Sequence, residues 1–260
     1  MALLETGGAR LDVETTGAGR DLVLLHSLLS DRSAFFRVSP ELAKSFRLHL
    51  VNLPGYGESR ADCATIADYA DAVAGIFGAL KIGPGAAVLG NGFGGFIALA
   101  LAIRHGKKFG PLVIADSLAT FPATAKEPFR TMAGKVRAAG MGAVLDAAVL
   151  RMFPEAFIAA HPDIIAGRKS ALAKADGECF ARACLALAEV DFGSDLGKIR
   201  NRTLVMAGAL DRATPARLAR ELAATIPGAG FREIADCGHC PQIEKPEVFV
   251  ALVQEFLAAS

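Results

Sequence analysis

The stretch Val88-Leu89-Gly90-Asn91-Gly92-Phe93-Gly94-Gly95 has the frame of a turn built to present a nucleophile, without the nucleophile. The frame is G-x-S-x-G, in which a strand runs sharply into a helix and lifts a hydroxyl clear of the sheet. Gly92 stands in the serine place. Gly90, Gly94 and Gly95 answer a steric need, because strand and helix nearly touch there. Gly92 does not serve that packing. It relaxes a corner of positive φ and removes the reactive oxygen at the same time. A glycine-rich strand-to-helix turn, or a weak dinucleotide fingerprint, would have the same composition.

Two further segments narrow the choice. Leu204–Gly208 reads as a buried strand and leads to Asp211; Phe231–Ile234 reads as another and leads to His239. A nucleophile corner, then an acid after one strand, then a histidine after the next is the chain order of the α/β-hydrolase relay. Histidine suits the task because it takes and returns a proton near neutral pH. Asp211 would hold the imidazole tautomer and stabilise the imidazolium. His26-Ser27-Leu28 follows a buried strand where such proteins carry an oxyanion loop. The backbone N–H groups of Leu28 and Phe93 are therefore the candidate donors to a carbonyl oxygen. Ser30 or Asp31 is suited to cap a following helix. Ser27 and Ser117 are other hydroxyls near the strand ends, neither of them on an elbow. Asp116 either assists His239 or caps a turn.

The elements that must position these residues alternate. Strands are expected at Ala9–Thr15, Asp21–His26, Arg47–Asn52, 86–89 and 111–115, with helices at 35–46, 66–80 and 93–105. From about 120 to 189 the chain is helical and rich in alanine, broken at Phe121-Pro122, Phe153-Pro154 and His161-Pro162. Strand and helix then resume through 203–208, 217–226, 231–234 and 248–258. The expected fold class is α/β: a doubly wound, mostly parallel sheet with a helical cap insertion. Residues 1–118 and 196–260 form the core, and residues 119–195 the cap.

On these residues the chain resembles the 3-oxoadipate enol-lactonase branch of the α/β-hydrolases. His26-Ser27-Leu28, Leu53-Pro54-Gly55-Tyr56-Gly57-Glu58-Ser59, Arg151–Phe157, Ala160-His161-Pro162 and Cys179–Leu187 carry the resemblance. Gly208-x-x-Asp211-x-x-x-Pro215 and Gly238-His239 are shared by hydrolases generally. The resemblance implies a small ester, lactone or enol-lactone substrate and no cofactor. It carries over to Asp211 and His239, and to Gly92 only as a position. The chain has no Trp, where that family's cap usually offers one at the place of Met152. Ser27, Arg32 and Arg151 are candidate substrate-binding residues, the arginines for a substrate carboxylate. Three readings of Gly92 stand side by side: a hydrolase whose His239–Asp211 pair activates water in the space vacated there, a serine hydrolase altered at its nucleophile, and a ligand-binding protein without turnover. On the first two, Gly92→Ser raises turnover through an acyl intermediate.

Composition excludes other classes. The 260 residues are 52% hydrophobic and 21% charged, with a formal net charge of +1. That balance suits one compact core and gives no field for nucleic acid or an acidic membrane. No signal peptide or membrane span is read, and the apolar run Phe93–Ile103 ends in Arg104. The expected partner is a small-molecule substrate, with no nucleic acid and no membrane; an oligomer is left open. Five cysteines form no disulfide framework and point to the cytoplasm. Cys237 and Cys240 flank His239 in C-x-x-C spacing, but no further ligand at zinc spacing accompanies them, and no metal is expected.

Overall fold

The computed structural model describes residues 2–259. One sheet contains β1 (Ala2–Thr6), β2 (Ala9–Thr16), β3 (Arg20–Leu25), β4 (Phe46–Val51), β5 (Ala87–Asn91), β6 (Leu112–Ala115), β7 (Thr203–Gly208) and β8 (Gly230–Ile234). Their spatial order is β1-β2-β4-β3-β5-β6-β7-β8. β2 runs antiparallel to both β1 and β4, and every other pairing is parallel. This is the doubly wound, mostly parallel sheet that the alternation predicts.

Successive side chains of a strand point to opposite faces, and here both faces are covered. Leu22, Leu24, Leu48, Leu89, Val113 and Met206 face one side. They pack against α1 (Ser39–Leu42) and α11 (Pro246–Ala258) through Leu42, Phe249 and Val253. Val23, Leu25, Val88, Ile114 and Val205 face the other. They meet α2 (Ile66–Ala79), α3 (Phe93–His105) and α9 (Ala216–Thr225). Burial on both faces is why these strands read as unbroken apolar runs. α3 lies in the middle, with every residue from Phe93 to Ala102 buried, so its composition is apolar all round.

Between β6 and β7 the chain leaves the sheet for α4 (Ala123–Ala139), α5 (Leu145–Arg151), α6 (Glu155–Ala160), α7 (Pro162–Leu172) and α8 (Gly177–Glu189). Pro122 and Pro154 sit at N-caps and Pro162 opens α7. A proline sacrifices no hydrogen bond where the helical N–H has no partner, which turns these breaks into helix starts. α10 (Pro241–Glu244) is a short turn of helix after His239.

Two expectations need correction. The helix read over 35–46 exists only as a 3-10 turn at Arg32–Phe35 and α1, because Phe46 pairs with Arg20 and opens β4. β1 was not anticipated. It is an edge strand whose residues other than Thr6 are not buried, so it has no buried face to print an alternation in the sequence.

A close approach of backbones occurs where α3 crosses β3 and β5. A Cβ on Gly94 would lie 2.2 Å from the Leu25 carbonyl oxygen, and one on Gly90 would lie 2.2 Å from the Gly94 oxygen. Both obstacles are backbone, which cannot move without parting helix from sheet. Gly94→Ala is expected to cost about 3 kcal/mol or more in urea unfolding, at the upper end for overpacking. Gly134→Ala in α4, where a Cβ meets nothing within 4 Å, is expected to be neutral or stabilising by up to about 1 kcal/mol.

Candidate active site

The three positions singled out by chain order meet at the C-terminal ends of the parallel strands, where open α/β sheets place their ligands. Gly92 forms the corner between β5 and α3 at φ +53°, ψ −118°. Its N–H donates to the Ala115 carbonyl at 2.9 Å, and its own carbonyl accepts from Ser117 Oγ at 2.8 Å. The corner is tighter than the sequence implied. A Cβ at position 92 would lie 2.6 Å from Ser27 Oγ and 2.8 Å from His239 Nε2. The volume that a side chain would fill is therefore bordered by two polar side chains, on the floor of an open cavity.

His239 Nδ1 lies 2.8 Å from Asp211 Oδ2, with both residues buried. Asp211 is in the loop after β7. Its Oδ1 accepts from the N–H groups of Ala213 (2.7 Å) and Thr214 (3.1 Å), and its Oδ2 also accepts from Thr214 Oγ1 (2.5 Å). Burial opposes its charge, but the adjacent His239 and the Thr214 bonds outweigh that and hold the carboxyl well below the usual carboxylate range. A carboxylate only accepts, so in the neutral ring Nδ1 carries the proton and Nε2 the lone pair. The histidine loop is pinned on three sides. The His239 N–H donates to the Met152 carbonyl (3.0 Å), and its carbonyl accepts from Asn91 Nδ2 (3.1 Å). Glu244 accepts from the N–H groups of Gly238 (2.7 Å) and Cys240 (3.0 Å). Thr214 was not picked out from sequence; its signal is a hydroxyl three residues after the acid, the spacing of a side chain that closes an Asp-led turn.

The loop after β3 is held as firmly. The Leu53 N–H donates to His26 Nε2 at 3.0 Å, so the proton is on Nδ1, which donates to the Ser27 carbonyl at 2.8 Å. Tyr56 Oη donates to the Leu28 carbonyl. The Gly94 N–H donates to the His26 carbonyl at 2.9 Å. From α7, Arg168 reaches Ser30 Oγ (3.3 Å) and Ser33 Oγ (2.8 Å), tying the inserted helices to this loop. Asp31 caps the 3-10 turn through the Ser33 N–H. The Leu28 and Phe93 amide N–H groups make no hydrogen bond within the described residues. Both residues line the same cavity.

That cavity measures about 260 Å³ and lies between the sheet edge and the inserted helices. Ser27, Gly92, Thr214 and His239 form its floor, with Phe96, Phe121, Phe129 and Met132 among its apolar walls. Arg151 and Lys135 are on its lining and exposed; Lys135 was not anticipated. Arg32 is not on the lining. It pairs with Asp12 and, through Nε, with Glu14 at 3.3 Å, both on β2. Its expected role toward a substrate carboxylate is corrected accordingly: those acids lie some twenty residues away in sequence, and only the sheet brings them together. Ser117 is likewise occupied, by Gly92.

Asp116 is fully buried at φ +51°, with Oδ1 accepting from the Gly208 N–H at 2.9 Å. Burial and the neighbouring Asp211 charge push its pKa well up, so it stands as the neutral acid beneath the ionised one. Asp116, Asp211 and His239 each bring a possible metal-ligating atom within 4.8 Å of the others. Their mutual bonding, with Asp211 already accepting from four donors, leaves little for a cation. The five cysteines are free and buried, and burial raises the Cys237 and Cys240 thiols, which pack around the histidine loop.

Residues 22–252 match the Alpha/beta hydrolase family. The chain is 31% identical to a pimeloyl-[acyl-carrier protein] methyl ester esterase of Chromobacterium violaceum, over 95% of this chain and 98% of that protein. It is 32% identical to a 2-hydroxymuconate semialdehyde hydrolase of Pseudomonas sp. (strain CF600), over 96% and 91%. The enol-lactonase from Burkholderia xenovorans LB400 superposes with a TM-score of 0.93 at 28% identity, covering 99% of this chain and 100% of that one.

The His26 geometry has a pH consequence. Burial is the main cause holding the ring neutral, with its pKa lowered from 6.5 to about 4. The unfolded chain takes up this proton below 6.5 and the folded one only near 4. Stability is therefore complete above 6.5 and falls as pH drops through that window, by about 3 kcal/mol in full. Urea midpoints measured from pH 7 to 4 are expected to fall less steeply in His26→Asn, whose amide oxygen can still accept from Leu53. Contributions from other groups, Asp116 among them, are common to both proteins and cancel in the comparison.

Proposed function

The chain belongs to the alpha/beta hydrolase family, and on that premise we propose that it hydrolyses a small ester, lactone or enol-lactone, with His239 as general base. The observation that carries the proposal is the buried Nδ1–H···Oδ2 bond of 2.8 Å, which leaves the Nε2 lone pair directed at the corner of Gly92. Asp211 keeps the tautomer and stabilises the imidazolium that forms when Nε2 takes a proton from water. The Leu28 and Phe93 N–H groups are the oxyanion donors. They are backbone groups, so their action does not depend on the residue at position 92.

We propose further that residues 119–195 act as a cap over a core of 1–118 and 196–260. Support comes from the cavity walls that α4, α5 and α8 provide and from the Met152–His239 and Arg168–Ser30 bonds across the join. The substrate is an apolar acyl group carrying an anionic end. None of the lining residues is acidic, while Lys135 and Arg151 are cationic. This agrees with an enol-lactonase-like branch, whose substrates have a free carboxylate. Five buried free thiols suit a reducing compartment such as the cytoplasm. No helix among the described residues is long and apolar enough to cross a membrane.

The second reading, ligand binding without turnover, is favoured by the glycine at the nucleophile corner. p-Nitrophenyl acetate and enol-lactones discriminate. Turnover by the unmodified protein is expected to fall by about 10²–10⁴ in His239→Ala, the usual worth of general-base help. An unchanged rate rules out His239 as base, and saturable binding with no product supports the second reading. At the mouth, Arg151→Glu with Lys135→Glu is expected to raise KM for an ester bearing a distal carboxylate about two- to fivefold more than for its neutral analogue, since each exposed cation contributes under about 1 kcal/mol.

A further inference from the structure

Ser27 makes one side-chain hydrogen-bond contact among the described residues, and it is with the group that would activate a nucleophile. Its Oγ lies 3.5 Å from His239 Nε2, with both residues nearly buried and both on the cavity floor. Catalytic contacts of this kind are often long before substrate binds and tighten with it. The contact depends on the glycine. A Cβ at position 92 would stand 2.6 Å from this hydroxyl and 2.8 Å from the imidazole nitrogen, too close to both, so that one or the other would have to give way. With Gly92, the Ser27 hydroxyl reaches the side of the imidazole that an elbow residue would otherwise fill.

The neighbours of Ser27 repeat the elements of an elbow. A nucleophilic serine there is followed by a residue whose N–H stabilises the oxyanion, as Ser27 is followed by Leu28, whose N–H is free among the described residues. The second donor, Phe93, lines the same floor. The backbone of Ser27 is held by the His26 ring on its carbonyl, and Leu28 by Tyr56, so the hydroxyl sits on a loop with little freedom to drift. Two other hydroxyls beside the histidine corner are already engaged. Ser117 is bonded to the Gly92 carbonyl and Thr214 to Asp211.

We propose that Ser27 is the nucleophile of this protein, acting through a Ser27–His239–Asp211 relay that the glycine at position 92 makes possible. The inference rests on the hydrolase reading and adds an earlier step to it. Ser27 Oγ attacks the ester carbonyl and forms the Oγ–C bond as its proton passes to His239 Nε2. The bond from carbon to the leaving oxygen breaks, and the leaving group departs with that proton. Water then gives a proton to His239 and attacks the acyl-Ser27 ester; Oγ recovers the proton and the carboxylic acid is released. The relay needs no group beyond substrate and water.

The test is covalent labelling of the whole protein with p-nitrophenyl acetate under acid quench and, separately, with an alkyl fluorophosphonate, read by intact mass and peptide mapping. The expected result is one label on the peptide containing Ser27. In Ser27→Ala the label is lost and turnover falls on the order of 100-fold or more. In Gly92→Ser the added side chain displaces the Ser27 hydroxyl, and the label is expected to move to position 92. His239-dependent turnover without any adduct, persisting within about threefold in Ser27→Ala, overturns the inference and leaves the hydrolase reading standing. A label on another residue also overturns it. Absence of both label and turnover overturns it together with the hydrolase reading.

Discussion

A carboxylate kept ionised out of reach of water organises this protein's strand ends. Asp211 loses hydration on burial and recovers it as four hydrogen bonds: two backbone N–H groups, one hydroxyl and the imidazole of His239. Those donors come from two loops, one after β7 and one after β8, so meeting the charge sets where both loops must stand. Removing any one donor leaves a buried charge short of a partner, which is more costly than an ordinary lost bond. Beneath it, Asp116 accepts the Gly208 N–H and stays protonated, since two adjacent buried carboxyls do not both ionise.

The imidazole inherits its orientation from that charge, and the rest of the floor follows from the imidazole. Nδ1 faces the carboxylate, which turns Nε2 toward Gly92 and Ser27. The loop after β3 must then bring Ser27 and Leu28 alongside without a regular element to support it. It does so through His26, a fully buried ring used on both nitrogens, and through Tyr56 and Gly94. The inserted helices complete the enclosure. Met152 takes the His239 N–H and Arg168 takes the serines of the loop, so the wall of the cavity and its floor share hydrogen bonds rather than merely touching. Apolar walls around such a floor lower the local dielectric and strengthen each of these interactions.

Gly92 has two consequences for the cavity floor. It brings no side-chain oxygen to the corner, and a Cβ there would press on both Ser27 Oγ and His239 Nε2. A turn that keeps Gly90 and Gly94 at contact distance is still under the full steric constraint of the strand-to-helix crossing. The scaffold of the corner is therefore intact.

Much of this was legible in the chain itself, for identifiable reasons. Backbone sterics speak locally: glycines at 90, 92 and 94, prolines at 122, 154 and 162, and unbroken apolar runs at 22–25, 112–115 and 203–208 each mark an element or its boundary without reference to the rest of the molecule. The order of corner, acid and histidine marked three positions that the sheet brings together. Pairings between distant segments carry no such local signature. Arg32 looked available for a substrate and is instead bound to Asp12 and Glu14, because β2 and the loop after β3 meet only in the folded sheet. Thr214 on the acid, Lys135 beside Arg151, and the reach of Ser27 into the space above Gly92 are likewise matters of tertiary position. The sequence alone determined which elements form and which residue types stand at their ends; the three-dimensional packing decided which of those residues touch. The physical reason is range: torsional and steric preferences act within a few residues, whereas charge pairing and volume exclusion act between whatever the fold brings together.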